Sequence, residues 1–146
     1  ACRDGYTVHY ARVPRLFADL DLAHGDGRFV RLFRMLVKVD LLVLDDWGPD
    51  RLSASNRRDL MEIVEDRYGR GSILITSQLP VASWLEVIAE PTVGDAILDR
   101  IVHNAYRLEL DGPSMRKIKA SEEAASPSSP VAATTADGKS TKGAKK

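Results

Sequence analysis

Two uninterrupted apolar runs constrain this chain more than any other feature: Leu41–Leu44 within VDLLVLDDWGPD, and the SILITS stretch Ser72–Ser77. Continuous rather than alternating runs of this length fit strands buried on both faces of a parallel sheet. The segment between them is punctuated as a helix. Ser53 or Ser55 can cap its start, and Gly69 and Gly71 end it. Leu60, Met61, Val64 and Tyr68 fall on one face of that helix, while Arg58 and Glu62 pair across one turn. Strand, helix and strand in this order form one βαβ crossover. The adjacent acids Asp45 and Asp46 therefore stand at the carboxyl end of a strand, where open α/β sheets bind ligands.

Shorter signals extend the pattern. YTVHY (Tyr6–Tyr10) alternates in period two and predicts another strand, and YRLEL (Tyr106–Leu110) predicts an edge strand. Two helical patterns split by HGDG lie between the first strand and the acid-bearing one. In VPRLFADLDLA, Pro14 suits an early helical position, and Leu16, Leu20 and Ala23 share a face. In RFVRLFRMLVK, Phe29, Leu32, Phe33 and Leu36 cluster on one side, with Arg28, Arg31, Arg34 and Lys38 opposite. The formal net charge is zero, so a nucleic-acid partner must be met by a local patch. This four-cation stripe without interleaved acids is such a patch, suited to the phosphate backbone of DNA. Phosphate contacts of that kind give position rather than sequence specificity. The alternative is an ordinary solvated helix face.

Other classes are disfavoured. No apolar run approaches the ~20 residues of a bilayer span, so no membrane partner is expected. No signal peptide is visible, and the lone Cys2 excludes an internal disulfide, which suits a cytoplasmic setting. From Ser121 to Lys146 the chain is Ala/Ser/Thr/Pro/Lys-rich, with little to bury. This reads as a disordered tail, basic at its end.

Adjacent carboxylates ending a buried strand repel each other and resist desolvation. A divalent cation relieves that conflict, and Mg²⁺ is commonly held by one or two carboxylates together with water and nucleotide phosphates. Strict strand alternation points Asp45 and Asp46 to opposite faces, so one addresses a metal and the other a water. The bland alternative is that Asp46 turns the loop at Gly48–Pro49. Thr76, Ser77 and Gln78 end the next apolar run at matching depth, which favours a shared site.

DDWG, EDRY, ITSQLP, AILDRIVHNA and SMRK, in this order and spacing, resemble the ATPase domain of IstB-like transposition helper proteins. These are AAA+ ATPases related to DnaC-type helicase loaders. The resemblance is dense over Leu41–Lys117 and continuous back to Tyr6. It implies a three-layer parallel α/β sheet of P-loop AAA+ type over residues 1–120, with a helical insertion at about 12–38 that engages DNA. It also implies that Leu41–Asp46 form the Walker B strand from which the rest of the domain, about 39–118, continues. Asp45 would coordinate Mg²⁺, and Asp46 would position or deprotonate the attacking water. Most relatives have Glu at that second place, and Asp is one methylene shorter. Thr76 or Ser77 stands where many relatives use a sensor Asn. Arg100, on a helix spanning about Val93–Asn104, matches the arginine finger that completes a neighbouring subunit's site in a homo-oligomer. Without the family, Arg100 reads as a surface residue paired with Asp95 or Asp99. His103 reads as helical packing, and Arg116 resembles a basic residue closing the domain, its role open.

One element of the family is absent from these 146 residues. A P-loop needs G-x-x-x-x-G-K-[ST] to cradle phosphates, and no such string occurs. The resemblance places it upstream, with its strand mid-sheet between the sensor strand and YRLEL. The expectation is therefore an incomplete sheet, and a chain that alone neither binds ATP tightly nor hydrolyses it. The implied function is ATP-dependent DNA binding and stimulation of a transposase, with ATP and Mg²⁺ as cofactors. The alternatives are a DnaC-type helicase loader and a non-catalytic DNA-binding fragment. A phospho-acceptor receiver domain fits poorly, because a strand precedes LLVLDD and the next one ends in TSQ.

Overall fold

The computed structural model describes residues 1–103 and 105–112. Arg116 and the tail from Ser121 lie outside the described residues. The chain divides into two units, Ala1–Tyr106 and Arg107–Lys146, and all of the elements below belong to the first.

After a short 3-10 turn at Cys2–Asp4 come β1 (Val8–Arg12), α1 (Val13–Asp26) and α2 (Phe29–Lys38). Then follow β2 (Leu41–Trp47), α3 (Ala54–Arg67) and β3 (Ser72–Ser77). A 3-10 turn at Val81–Ser83 leads into α4 (Trp84–Ile88) and α5 (Pro91–Val102). The three strands are parallel in the order β1-β2-β3, so the α1–α2 pair and α3 are both crossovers.

The register sets His9 and Ala11 beside Leu42 and Leu44, and those beside Ile73 and Ile75. Leu42 and Leu44 are buried on this face in one core with Leu16, Leu20 and Leu36 of the first two helices and Leu60 and Ile63 of α3. The other face carries Tyr10, Val43 and Leu74. Tyr10 is 58% and Leu74 45% exposed, so among the described residues this face stays open. The sheet and one helical layer are thus on view.

The local signals explain most boundaries. Pro14 sits in the first turn of α1, and Gly27 closes that helix in the left-handed region. Helix α1 therefore runs through His24-Gly25-Asp26 rather than stopping before them. Ser53 caps α3 in a reciprocal box with Asn56. Leu60 and Val64 are buried as the periodicity predicts, but Tyr68 follows the last helical residue and is 56% exposed. Arg58 and Glu62 form no ion pair. Instead the neighbouring Arg57 donates to the carbonyls of Leu52 and Ile88, tying α3 to the end of the loop that follows β2 and to the end of α4.

Two strand expectations shift. The first strand begins at Val8 and ends at Arg12, two residues later than YTVHY suggests. YRLEL forms no strand: Tyr106, Leu108 and Leu110 are exposed, and 105–110 carry no regular structure. Alternating apolar residues become a strand only when a neighbour supplies the ladder, and among the described residues β3 pairs with β2 alone.

Candidate functional site

The acids occupy the open carboxyl edge of the sheet. β2 does not keep its alternation there. Leu44 is paired with Ile75 and Trp47 with Ser77, so three steps on β2 match two on β3, a bulge centred on Asp45 and Asp46. Asp46 takes up the extra residue with φ of +64°, a left-handed conformation uncommon for a side chain other than glycine. The cause lies one residue on. Trp47 must reach the core, where it is 2% exposed and meets Trp84 with ring centroids 5.5 Å apart. The bulge lets Trp47 turn inward while both carboxylates stay within reach of side chains on the open face. The expectation that Asp45 and Asp46 point to opposite faces is thereby corrected.

Each carboxylate has its own partners. The Thr76 hydroxyl donates to Asp45 Oδ1, and the Tyr10 hydroxyl donates to Asp45 Oδ2 at 2.5 Å. Thr76 Oγ1 also accepts the Asp46 N–H at 3.3 Å. Arg12, the last residue of β1, donates through an η nitrogen to Asp46 Oδ2 at 2.5 Å. The two bonds to Asp45 favour its ionised form. The Thr76 bond first, then that of Tyr10, holds the Asp45 carboxyl below the usual aspartate range. The same contact raises the Tyr10 phenol, and Asp46 raises the Arg12 guanidinium.

Ser77 is engaged elsewhere. Its hydroxyl donates to the Trp47 carbonyl at 2.8 Å and accepts the Leu79 N–H at 3.0 Å, so it shapes the loop leaving β3. Thr76 is the hydroxyl that faces the acids. Gly48 completes the loop after β2. Its φ is +106°, and a Cβ there would lie 2.6 Å from Leu79 Cδ1, so the close approach of the two loops needs glycine.

Does this arrangement suit Mg²⁺? The donors are hard oxygens at a strand mouth, and Asp45 is partly exposed with an ionised carboxylate. Among the described residues no three His, Cys, Asp or Glu side chains converge as a protein-only cage. Mg²⁺ is commonly held through one or two carboxylates, with the remaining positions left to water and phosphate. The residues fit such an ion as half of a site.

Arg100 is not with them. It projects from α5 onto α3, forming an ion pair through Nε with Glu65 and donating to the Ala96 carbonyl at 2.9 Å. Two residues beyond Glu65, Arg67 binds the carbonyls of Asp40 and Ser72, at the amino ends of β2 and β3. Arg100 thus lies toward the end of the sheet opposite its own chain's acids. His103 ends α5 and is exposed rather than packed.

The basic stripe forms a separate surface. Arg28 at the amino cap of α2 and Arg31, Arg34 and Lys38 on it are all exposed, while Leu36 is buried and Phe29 stacks on Phe33 and on His24. Arg28 is neutralised by Asp26, 2.5 Å away, which leaves Arg31, Arg34 and Lys38 without an ion-pair partner among the described residues. Arg28 and Arg31 also rim a cleft between α1 and α2 floored by Leu22, Ala23, Leu32 and Met35.

Sequence reading missed Tyr10 and Arg12. Both lie on β1 in register with β2, Tyr10 beside Val43 and Arg12 beside Asp45. Their signal was the alternation of the first strand, had its end been set at Arg12.

Comparison with known proteins follows the same lines. The sequence model of the family described as IstB-like ATP binding protein matches residues 1–124. An insertion sequence ATP-binding protein of Sinorhizobium fredii is 62% identical over 117 residues, covering 80% of this chain and 48% of the relative. A similar insertion sequence protein of Mycobacterium tuberculosis is 30% identical over 118 residues, covering 80% and 47%. The chain thus spans about half the length of the curated relatives it matches. Among solved structures, a DNA replication initiation factor matches with a TM-score of 0.67 at 18% identity, covering 85% of this chain and 37% of that one. The structure of DnaI matches with a TM-score of 0.59 at 23% identity, covering 66% and 54%. At these identities the likeness speaks for the α/β fold alone.

Proposed function

The chain belongs to the IstB-like ATP-binding protein family, and we propose that it supplies the acid-bearing half of an ATP site in a protein that assists DNA transposition. The observation that carries this reading is the bulge at Asp45–Asp46, which gathers two carboxylates and the Thr76 hydroxyl at one strand mouth. In this role Asp45 holds Mg²⁺. Mg²⁺, when bound, offsets negative charge on the phosphates during transfer. Asp46 orients the attacking water and accepts its proton. Thr76 fixes the rotamer of Asp45 and links the acids to β3, which makes it the better sensor candidate of the two hydroxyl residues. Ser77 holds the loop.

Arg100 acts between subunits. It points away from its own acids, so the charge it offers a phosphate is offered to a second copy's site. Arg31, Arg34 and Lys38 hold the DNA backbone, with Arg28 contributing once Asp26 releases it. ATP, Mg²⁺, DNA, a transposase and further copies of the chain are therefore the proposed partners. The setting is the cytoplasm. Among the described residues no helix is long and apolar enough to cross a membrane.

The test joins this chain behind the P-loop segment of the 62%-identical relative and measures strand-transfer products of the matching transposase. ATP and the wild-type sequence should raise the product yield, and Asp46→Asn should not. Stimulation of helicase loading in place of strand transfer would move the assignment to a loader.

A further inference from the structure

The acid pair already holds a cation of its own. Of the two carboxylates, Asp45 is satisfied by neutral hydroxyls from Tyr10 and Thr76, whereas Asp46 faces the fixed positive charge of Arg12. Arg12 is in register with Asp45, not Asp46. The bulge and the left-handed backbone of Asp46 are what bring that carboxylate to the guanidinium. The pair is open to solvent, with the side chains 61% and 31% exposed. Such a pair holds weakly and exchanges readily. Its position nonetheless puts a full positive charge where a divalent ion must come.

We propose that Arg12 is a positioning residue, held at the acid pair by Asp46 as a stand-in cation, so that a divalent metal arriving at Asp45 must drive this charge aside and Arg12 thereby sets the metal affinity of the site. The proposal rests on the reading of Asp45 and Asp46 as the metal-bearing half of an ATP site. The displaced guanidinium is a planar donor suited to phosphate oxygens. A metal arriving with a polyphosphate is therefore opposed less than a bare ion. An ordinary surface ion pair, tying β1 to β2 and nothing more, would leave metal affinity untouched.

Mn²⁺ titrated into the 146-residue chain, with free Mn²⁺ followed by electron paramagnetic resonance, separates these cases. Arg12→Met and Arg12→Gln should each bind Mn²⁺ roughly three- to tenfold more tightly than wild type, the scale of removing one exposed charge next to a divalent ion. Arg12→Lys should stay within about twofold of wild type, because the charge remains. Asp46→Asn should make affinity indifferent to residue 12, and Asp45→Asn should lose binding. Urea midpoints of the Arg12 variants matching wild type would show that the fold is intact. Wild-type affinity in both Arg12→Met and Arg12→Gln, with binding still lost in Asp45→Asn, overturns the Arg12 proposal and leaves the metal reading standing. Unchanged affinity in Asp45→Asn, or no specific binding by any form, removes the metal reading and the proposal with it.

Discussion

Replacing Arg67 by Met tests how the basic helix, the acid strand and the sensor strand are held together. Arg67 ends α3 and is 1% exposed. One η nitrogen donates to the carbonyls of Leu36 and Val39 at 2.8 Å and of Val37 at 3.2 Å. The other donates to Asp40 at 3.2 Å and to Ser72 at 2.6 Å. No carboxylate pairs with this side chain, and its Nε has no partner. Burial lowers the guanidinium's affinity for its proton, opposed by the nearby Asp40 charge, yet an arginine stays charged at neutral pH. The carbonyls at the end of α2 and the starts of β2 and β3 therefore carry a buried cation between them. Met keeps most of the volume and removes every donor. Hydrogen bonds to charged groups contribute about 1.5–3 kcal/mol each, but the part-buried carbonyls recover some of that from water. Removing the buried charge also relieves its desolvation cost. A net loss of about 3–5 kcal/mol remains, a large share of the 5–15 kcal/mol typical of a domain. At a minimum of about 4 °C per kcal/mol, Tm should fall by at least ~12 °C. Trp47 and Trp84 are buried, so tryptophan fluorescence during urea unfolding reads the change. Arg67→Lys should fall between, because one ammonium cannot span both groups of carbonyls. A Met variant within about 1 kcal/mol of wild type would refute the reasoning.

Other expectations are more local. Arg31→Glu with Arg34→Glu should weaken DNA retention sharply and lower the salt slope of what remains by about 2, on the usual ~0.9 per phosphate contact, as filter binding across salt concentrations would show. Gly48→Ala should destabilise by at least about 1 kcal/mol in urea melts, since it combines a left-handed backbone with a Cβ 2.6 Å from Leu79 Cδ1. On the acid side, Asp45 is depressed by Thr76 and Tyr10, and Asp40 by the hydroxyl and N–H of Thr7. Their contribution is present above the unfolded value of about 3.9 and is lost as pH falls through the lower folded values. Acid unfolding of Asp40→Asn should therefore show a shallower pH dependence below about pH 4 than wild type.

Legibility in the sequence followed the range of the interactions. The βαβ unit was readable because Leu41–Leu44, the Ser53 cap and Ser72–Ser77 act locally, and the two helical patterns because Leu16, Leu20, Ala23 and Leu36 repeat with the helix period. What was not readable depended on neighbours. YRLEL alternates, yet forms no strand where no described edge pairs with it. The bulge at Asp45–Asp46 arises from the need of Trp47 to reach Trp84, a contact 37 positions along the chain, and strict alternation could not reveal it. Tyr10 and Arg12 joined the acids only through parallel register. Arg100 could be read as a projecting residue, but its partner Glu65 lies on another helix, not at Asp95 or Asp99. Thr76 and Ser77 were indistinguishable until the Trp47 carbonyl and the Leu79 N–H were seen to claim Ser77.

ATP turnover by the chain joined behind a relative's P-loop segment, compared across Asp45→Asn, Asp46→Asn and wild type, addresses the acid pair itself. Asp46→Asn should retain ATP while losing at least about a hundredfold in kcat, the lower end of the range for removing a positioned general base. Asp45→Asn should need far more Mg²⁺ for whatever turnover remains. Hydrolysis at the wild-type rate and Mg²⁺ dependence in both variants would contradict the assignment of these aspartates to a metal–nucleotide site.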